Sequence, residues 1–163
     1  MAIESVFKKK NSDSAMASVA IVYNGTMLLT REKRNNVSKL CLPGGKALPG
    51  ETFAATAARE AWEETRGQLS DATVEAIKAI KTWTEVRAAS QHVGVLHLQD
   101  NEDSDVHLRF HNVTAANRNP RSKTVHEGVE WHLVSNVRKA EWRKANMHFH
   151  GDHLARVACA SIA

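Results

Sequence analysis

Apolar residues gather in short runs near the amino end of the chain, and polar turns separate these runs. Met16–Tyr23 and Thr26–Thr30 are mainly apolar or β-branched, and Asn24-Gly25 lies between them. Both central positions of a two-residue hairpin turn favour positive φ, which asparagine and glycine tolerate best. The pattern therefore predicts a β-hairpin over residues 16–30.

Further along the chain, the pattern predicts more strands and two helices. Residues 31–36 are charged and are predicted as a loop, whereas alternation and β-branched residues predict strands at 40–42, 74–83, 92–99, 106–113 and 129–133. Apolar residues at helical spacing follow Asp152, which is predicted to cap the last helix. No repeat or internal linker interrupts the series. We therefore expect a flexible lead-in over residues 1–15 and one α/β domain over residues 16–163.

Composition limits the classes of protein to which the chain can belong. Its 163 residues, 42% hydrophobic and 25% charged, are typical of one soluble domain. The longest mainly apolar run, Met16–Tyr23, is far shorter than the ~20 residues that span a bilayer, and the amino end does not resemble a secretory signal. Cys41 and Cys159 lie far apart. We therefore expect a cytoplasmic protein with reduced thiols and no membrane partner.

The clearest helix is predicted over residues 51–66, where acidic residues fall on one side. Glu60, Glu63 and Glu64 have the i, i+3, i+4 spacing that places three carboxylates on one helical face. Three like charges repel one another unless a cation compensates them. Arg59 can do so from within the helix, and Mg²⁺ can do so from outside, because it prefers carboxylate oxygens. From the spacing alone, an ordinary solvated helix face remains an alternative.

This helix lies within a longer motif. Residues 44–67 read GGKALPGETFAATAAREAWEETRG and closely resemble the Nudix box, G-x5-E-x7-R-E-U-x-E-E-x-G-U, in which U is bulky and apolar. The six residues that match at the required spacing are Gly45, Glu51, Arg59, Glu60, Glu63 and Glu64. Chance is a poor explanation for six matches over twenty residues, so the chain is identified as a member of the Nudix family.

The resemblance implies a fold, an activity and a set of site residues. The fold would be a mixed β-sheet sandwiched between helices, and the activity would be hydrolysis of a nucleoside diphosphate linked to another moiety, with Mg²⁺ or Mn²⁺ as cofactor. The metal ligands implied by position are Glu60, Glu63, Glu64 and the carbonyl of Gly44. Glu51 would pair with Arg59 to steady the helix. A metal-activated water would attack phosphorus, with Glu64 best suited to act as the base.

One end of the motif departs from the family pattern. The pattern has glycine and then an apolar residue after E-E-x, whereas this chain has Arg66 and then Gly67. Glycine most easily adopts the left-handed conformation that ends a helix. We therefore expect the helix to run through Thr65 or Arg66, with positive φ at Gly67 and not at Arg66. A cation in the last turn would suit the helix dipole.

Residues around the motif supply further candidates. The predicted substrate-binding residues are Arg31, Arg34, Gly45 and Lys46, although solvated loop positions are an equal alternative for the two arginines. Members of the family often use an additional acidic ligand outside the box, for which Asp105, Glu127 and Glu130 are all candidates. His148, His150 and His153 resemble a metal cluster, but their spacing favours ordinary structural histidines.

Signatures outside the motif bear on the substrate and partners. The proline that marks ADP-ribose hydrolases is missing, since residues 68–94 contain none, and no motif of NADH or coenzyme A hydrolases is visible. This leaves nucleoside triphosphates, dinucleoside polyphosphates and diphosphoinositol-type polyphosphates, and the net charge of +4 slightly favours the more highly charged of these. Scattered aromatic residues argue against specific nucleic-acid binding, and a homodimer is compatible with the sequence. A non-catalytic Nudix module that senses a nucleotide or binds a partner is the alternative class.

Overall fold

The computed structural model describes residues 15–99, 102–113 and 124–162. These residues contain β1 (Met16–Tyr23), β2 (Thr26–Arg34), β3 (Val37–Cys41), β4 (Gly44–Lys46), α1 (Phe53–Glu64), α2 (Asp71–Lys78), β5 (Thr84–Val86), β6 (Gln91–His97), α3 (Val106–His111), β7 (Thr124–Leu133), α4 (Val134–Val137), α5 (Ala140–Asn146) and α6 (Phe149–Ala160). None of the helices in these ranges is long and apolar enough to cross a membrane. The lead-in predicted over residues 1–15 lies almost wholly outside them.

The strands of the described ranges join in one mixed sheet. Its order is β3-β2-β1-β6-β5, with β7 added to β2 and β4 added to β1. β1 and β6 pair in parallel, whereas the other pairs are antiparallel. The predicted hairpin is confirmed, because Val22 of β1 pairs with Met27 of β2 and both Asn24 and Gly25 have positive φ.

Apolar side chains form two clusters, one on each face of the sheet. Leu28 and Leu29 are successive residues of β2 and belong to different clusters, because side chains alternate between the faces of a strand. The cluster that contains Leu29 also contains residues of α4 and α6, and the cluster that contains Leu28 also contains residues of α1, α2 and α3. The mixed sheet therefore lies between two helical layers, as predicted.

Two segments predicted as strands are helices instead. α2 occupies the first half of 74–83, and α3 occupies most of 106–113. Each helix buries apolar or small residues four positions apart, Thr73 with Ile77 and Val106 with Phe110. This spacing is the helical signal, and β-branched residues and short alternation obscured it. The side chain of Ser70 also accepts a hydrogen bond from the Thr73 N–H and so caps α2.

Two smaller predictions were also wrong. Residues 31–34 continue β2, because β3 and β7 pair with this stretch on both sides, and the turn to β3 lies at Asn35 and Asn36. Asp152 does not cap α6, which begins after His148. The Asp152 carboxylate accepts a hydrogen bond from Nε of Arg143 at 2.7 Å and so joins α6 to α5.

Candidate active site

Helix α1 holds the acidic residues in a fixed position against the sheet. The hydroxyl of Thr52 accepts a hydrogen bond from the Ala55 N–H at 3.0 Å, which satisfies one of the free donors at the start of the helix. Three small residues are buried on the inner face: Ala54, Ala58 and Ala61. The three glutamates of the helix lie at different depths, with 8% of Glu64 exposed but 49% of the Glu63 side chain.

Arg59 connects four parts of the site through one guanidinium group. Nε and Nη2 donate to the carboxylate of Glu51, both at 2.9 Å, and Nη1 donates to Glu60 at 2.8 Å and to Glu63 at 3.2 Å. Nη2 also donates to the carbonyl of Lys46 at 2.7 Å. Burial opposes ionisation of Glu51, but hydrogen bonds from Arg59 and the Leu48 N–H hold its pKa below the usual value. The expected pairing of Glu51 with Arg59 is present.

Two glycines bring the loop before α1 against the carboxylates. The N–H of Gly44 donates to Oε1 of Glu64 at 3.2 Å. A Cβ at Gly45 would lie 2.6 Å from the carboxyl carbon of Glu60, and a Cβ at Gly44 would overlap Ser18 of β1. Gly44 is required because the backbone of β1 lies so close, whereas a side chain at Gly45 would displace the Glu60 carboxyl. A metal-ligating role for the Gly44 carbonyl stays a prediction.

The inner part of the site has an excess of negative charge. Burial, together with the charges of Glu32 and Glu60, raises the pKa of Glu64 well above its usual value. Burial also raises the pKa of Glu60, although Arg59 opposes this and Glu63 adds to it. Two neighbouring carboxyls therefore hold protons more tightly than ordinary glutamates, because Arg59 compensates only part of their charge.

This donor set fits a hard divalent cation. Within the described ranges, no three His, Cys, Asp or Glu side chains already stand in the arrangement of a metal site, since Arg59 and the Gly44 N–H hold the box carboxylates. The donors are nevertheless carboxylate oxygens, which Mg²⁺ and Mn²⁺ prefer. Buried Glu64 and half-buried Glu60 are neighbours with elevated pKa values, and a cation would relieve their repulsion.

The acidic candidates outside the box are engaged elsewhere. Asp105 pairs with Arg109 of its own helix, and Glu127 accepts a hydrogen bond from Ser38. Glu130 binds Arg31 through two nitrogens and also contacts His132. None of these contacts involves a box glutamate, so they provide no support for an additional ligand.

Glu32 is the acidic residue near Glu64 that sequence reasoning missed. It is buried on β2, pairs with Arg34, and adds its negative charge to that of the box carboxylates. The alternation of side chains between the two faces of β2 could have revealed it, since Leu28, Thr30 and Glu32 share one face. The interpretation of residues 31–36 as a loop hid this pattern.

The predicted substrate-binding residues separate into two groups. Arg34 lies beside Glu32 and so near the buried part of the site, and the backbone of Gly45 contacts Glu60. Arg31 shares the opposite face of β2 with Leu29, where the hydrogen bonds that it donates to Glu130 raise its pKa. The side chain of Lys46 is exposed at the loop, where its carbonyl binds Arg59.

The histidine cluster has structural contacts. His148 Nε2 lies 2.7 Å from the backbone carbonyl of Glu32. The ring of Phe149 contacts those of His150 and His153, with centroid distances of 5.5 and 4.7 Å. Among the residues that the structure describes, these histidines do not form a metal site.

The carboxyl end of α1 differs from the prediction. The helix ends at Glu64, and Arg66 and Gly67 both have positive φ, of 57° and 74°. The Gly67 N–H donates to the Trp62 carbonyl at 2.7 Å and the Arg66 N–H to the Glu63 carbonyl at 2.9 Å, which is a Schellman motif with Arg66 in the left-handed position. The prediction that Gly67 alone would be left-handed was wrong.

Tertiary contacts explain why arginine occupies this position. The Arg66 guanidinium lies 3.9 Å from the centre of the Phe110 ring and donates to the Val113 carbonyl at 2.7 Å. A cation over an aromatic ring and a charged hydrogen bond are both favourable. They offset the cost of a left-handed residue with a side chain, which is about 1–2 kcal/mol.

Comparison with known proteins agrees with this architecture. Residues 13–151 match the family model of the NUDIX domain. The match covers most of the chain, which therefore belongs to the Nudix family, as the motif predicted. No match was found among curated proteins.

One similar solved structure is a bifunctional NMN adenylyltransferase/ADP ribose pyrophosphatase from Francisella tularensis, complexed with AMP and a Mn ion. The two chains are 18% identical, with a TM-score of 0.54 over 88% of this chain and 39% of the other. At this identity the likeness shows a shared fold. This chain spans well under half the length of that protein.

Proposed function

We propose that this chain is a metal-dependent pyrophosphohydrolase that cleaves a nucleoside diphosphate linked to another moiety. Membership of the Nudix family and a full set of box glutamates support this activity. The observation that carries it is the neighbouring pair of half-buried Glu60 and buried Glu64, whose pKa values are raised first by loss of hydration and then by the nearby negative charges. Glu60, Glu63 and Glu64 would hold Mg²⁺ or Mn²⁺, which supplies positive charge and lowers the pKa of water when bound.

The residues of the box have different roles in the proposed reaction. Glu64 has one carboxylate oxygen bound by the Gly44 N–H and accepts a proton from the attacking water. Glu60 and Glu63 share Arg59, which keeps the acidic face together, and Glu51 anchors that arginine to the loop before the helix. The attack breaks a phosphoric anhydride bond and releases two phosphorylated products.

The substrate is proposed from charge and from the absence of other signatures. Arg34, which pairs with Glu32, would meet a phosphate oxygen, and Lys46 lies exposed at the end of β4. Nucleoside triphosphates, dinucleoside polyphosphates and diphosphoinositol-type polyphosphates remain the favoured classes. The similar structure is named an ADP ribose pyrophosphatase, so ADP-ribose belongs among the compounds to test. A cytoplasmic location and a homodimer stay predictions.

A panel of these compounds with Mg²⁺ or Mn²⁺, assayed for formation of the two phosphorylated products, tests the activity. Hydrolysis of at least one compound that ceases when the metal is chelated is the expected result. Binding of a nucleotide without hydrolysis of any compound would instead support a non-catalytic module. Retention of all the box glutamates favours the enzyme, because a module that only binds has no need of them.

A further inference from the structure

Glu32 is a buried carboxylate whose presence the Nudix box does not explain. It lies on β2 between β3 and β7, opposite His126, at the position where the register with β7 shifts. Only 6% of its side chain is exposed. Its negative charge acts on the carboxyl of Glu64 and on the buried thiol of Cys41, so these three groups lie in one region.

A third negative charge in this region is unfavourable for folding. Buried like charges repel one another, and each buried carboxylate also loses its hydration. Arg34 compensates the charge of Glu32 with an ion pair of 3.1 Å. Such a pair adds little net stability, because its own desolvation opposes the attraction. Folding stability therefore does not explain why a glutamate occupies this buried position. The geometry of Arg34 offers another explanation.

Arg34 contacts Glu32 through one end of its guanidinium group and also lies beside the buried thiol of Cys41. Nη2 donates to the two oxygens of Glu32 at 3.2 and 3.1 Å. Within the part of the chain that the structure describes, Nε is buried without a hydrogen-bond partner, although 36% of the side chain as a whole is exposed. A guanidinium has five donors in one rigid plane, so a fixed nitrogen also fixes the direction of the others. A buried donor without a partner is costly unless a ligand or a water accepts from it.

We propose that Glu32 is a positioning residue that orients Arg34, so that the other donors of the guanidinium bind a phosphate oxygen of the substrate near Glu64. This inference rests on the proposed function. Phosphate fits because arginine binds its oxygens through strong, directional, charge-assisted hydrogen bonds. His126 borders the same place, since its buried Nδ1 lies 3.8 Å from Glu32 and has no hydrogen bond among the described residues.

The kinetic test uses Glu32→Gln, Arg34→Met and the double variant. Loss of an oriented charge-assisted hydrogen bond should raise KM about tenfold in each single variant, with a much smaller change in kcat. The double variant should be no worse than Arg34→Met, because Glu32 acts through Arg34. Glu75→Gln is the matched control, since it removes an exposed carboxylate that pairs only with Lys78 on α2, and it should match the wild type.

A binding measurement separates this inference from the proposed function. Affinity for inorganic pyrophosphate in Mg²⁺, measured by calorimetry, should fall about tenfold in Glu32→Gln, even if the wild type hydrolyses no compound of the panel. The melting temperature of Glu32→Gln should stay close to that of the wild type, because glutamine still accepts a hydrogen bond from Arg34 while the repulsion between Glu32 and Glu64 is gone.

Three results would overturn the inference. The first is a Glu32→Gln variant whose KM and pyrophosphate affinity stay within about twofold of the wild type, and the second is additive losses in the double variant. The third is a lower melting temperature with equal losses in kcat and affinity, which would show a merely structural role. If the wild type hydrolyses a diphosphate but Glu32→Gln is unaffected, the inference fails and the proposed function stands.

Discussion

Replacement of Arg66 tests how this chain ends its box helix without the glycine of the family pattern. Two contributions to the free energy of unfolding oppose each other at this position. The left-handed backbone costs about 1–2 kcal/mol for any residue with a side chain. The hydrogen bond to the Val113 carbonyl contributes about 1.5–3 kcal/mol, and the contact with the Phe110 ring adds about 0.5–1 kcal/mol.

These terms predict the order of stability of three proteins. Arg66→Ala loses the side-chain contacts and keeps the backbone strain, so its free energy of unfolding should fall by about 2–4 kcal/mol. Arg66→Gly loses the same contacts but relieves the strain, so it should be more stable than Arg66→Ala by about 1 kcal/mol and still less stable than the wild type. Each kcal/mol corresponds to about 2–4 °C in melting temperature for a domain of this size.

Urea unfolding followed by tryptophan fluorescence measures these differences, and Ser90 provides a matched control. Ser90 is exposed and also has positive φ, of 53°, so Ser90→Gly should exceed Ser90→Ala by a similar amount. If Arg66→Ala proved as stable as Arg66→Gly, the left-handed conformation at this position would be wrong. If Arg66→Gly equalled the wild type, the contacts with Phe110 and Val113 would contribute nothing to stability.

Three further predictions concern the acidic face. Millimolar Mg²⁺ or Mn²⁺ should raise the melting temperature of the wild type more than that of Glu64→Gln, since a ligand that binds the folded state stabilises it; equal rises would remove Glu64 from the metal site. Arg59→Ala should lower the free energy of unfolding by about 2 kcal/mol and also reduce activity, because Glu51 and Glu60 lose their partner. Without metal, the free energy of unfolding of the wild type relative to Glu64→Gln should fall as the pH rises above 4.5, because the folded state retains a proton that the unfolded state releases. The fall should be about 1.4 kcal/mol for each unit by which folding raises the pKa of Glu64. Parallel pH profiles of urea unfolding would contradict this last prediction.

The features that sequence could predict are those whose causes are local. The hairpin follows from the conformations that Asn24 and Gly25 favour, and the box helix follows from six residues at fixed spacing. The buried alanines of α1 follow from helical periodicity in the same way. In each case, residues close in the chain determine the structure, so no knowledge of the tertiary fold was needed.

The features that sequence could not predict depend on contacts between distant segments. The charged residues after Thr30 form a strand because β3 and β7 pair with them on both sides. Glu32 is buried for the same reason, and its approach to Glu64 depends on how α1 packs on that face of the sheet. Arg66 can be left-handed because Phe110, far along the chain, lies under its guanidinium. The secondary-structure propensities of neighbouring residues do not reveal such contacts.

The most direct test of whether the box carboxylates form a catalytic centre compares two proteins. Hydrolysis by the wild type and by Glu64→Gln is measured side by side with Mg²⁺ and Mn²⁺. The substitution keeps the size of the side chain but removes the charge that holds metal or accepts a proton. Turnover should fall about 10²–10⁴-fold, the usual effect of removing a general base, while the Glu75→Gln control keeps full activity. A Glu64→Gln variant as active as the wild type, or a wild type that hydrolyses no diphosphate with either metal, would contradict the assignment.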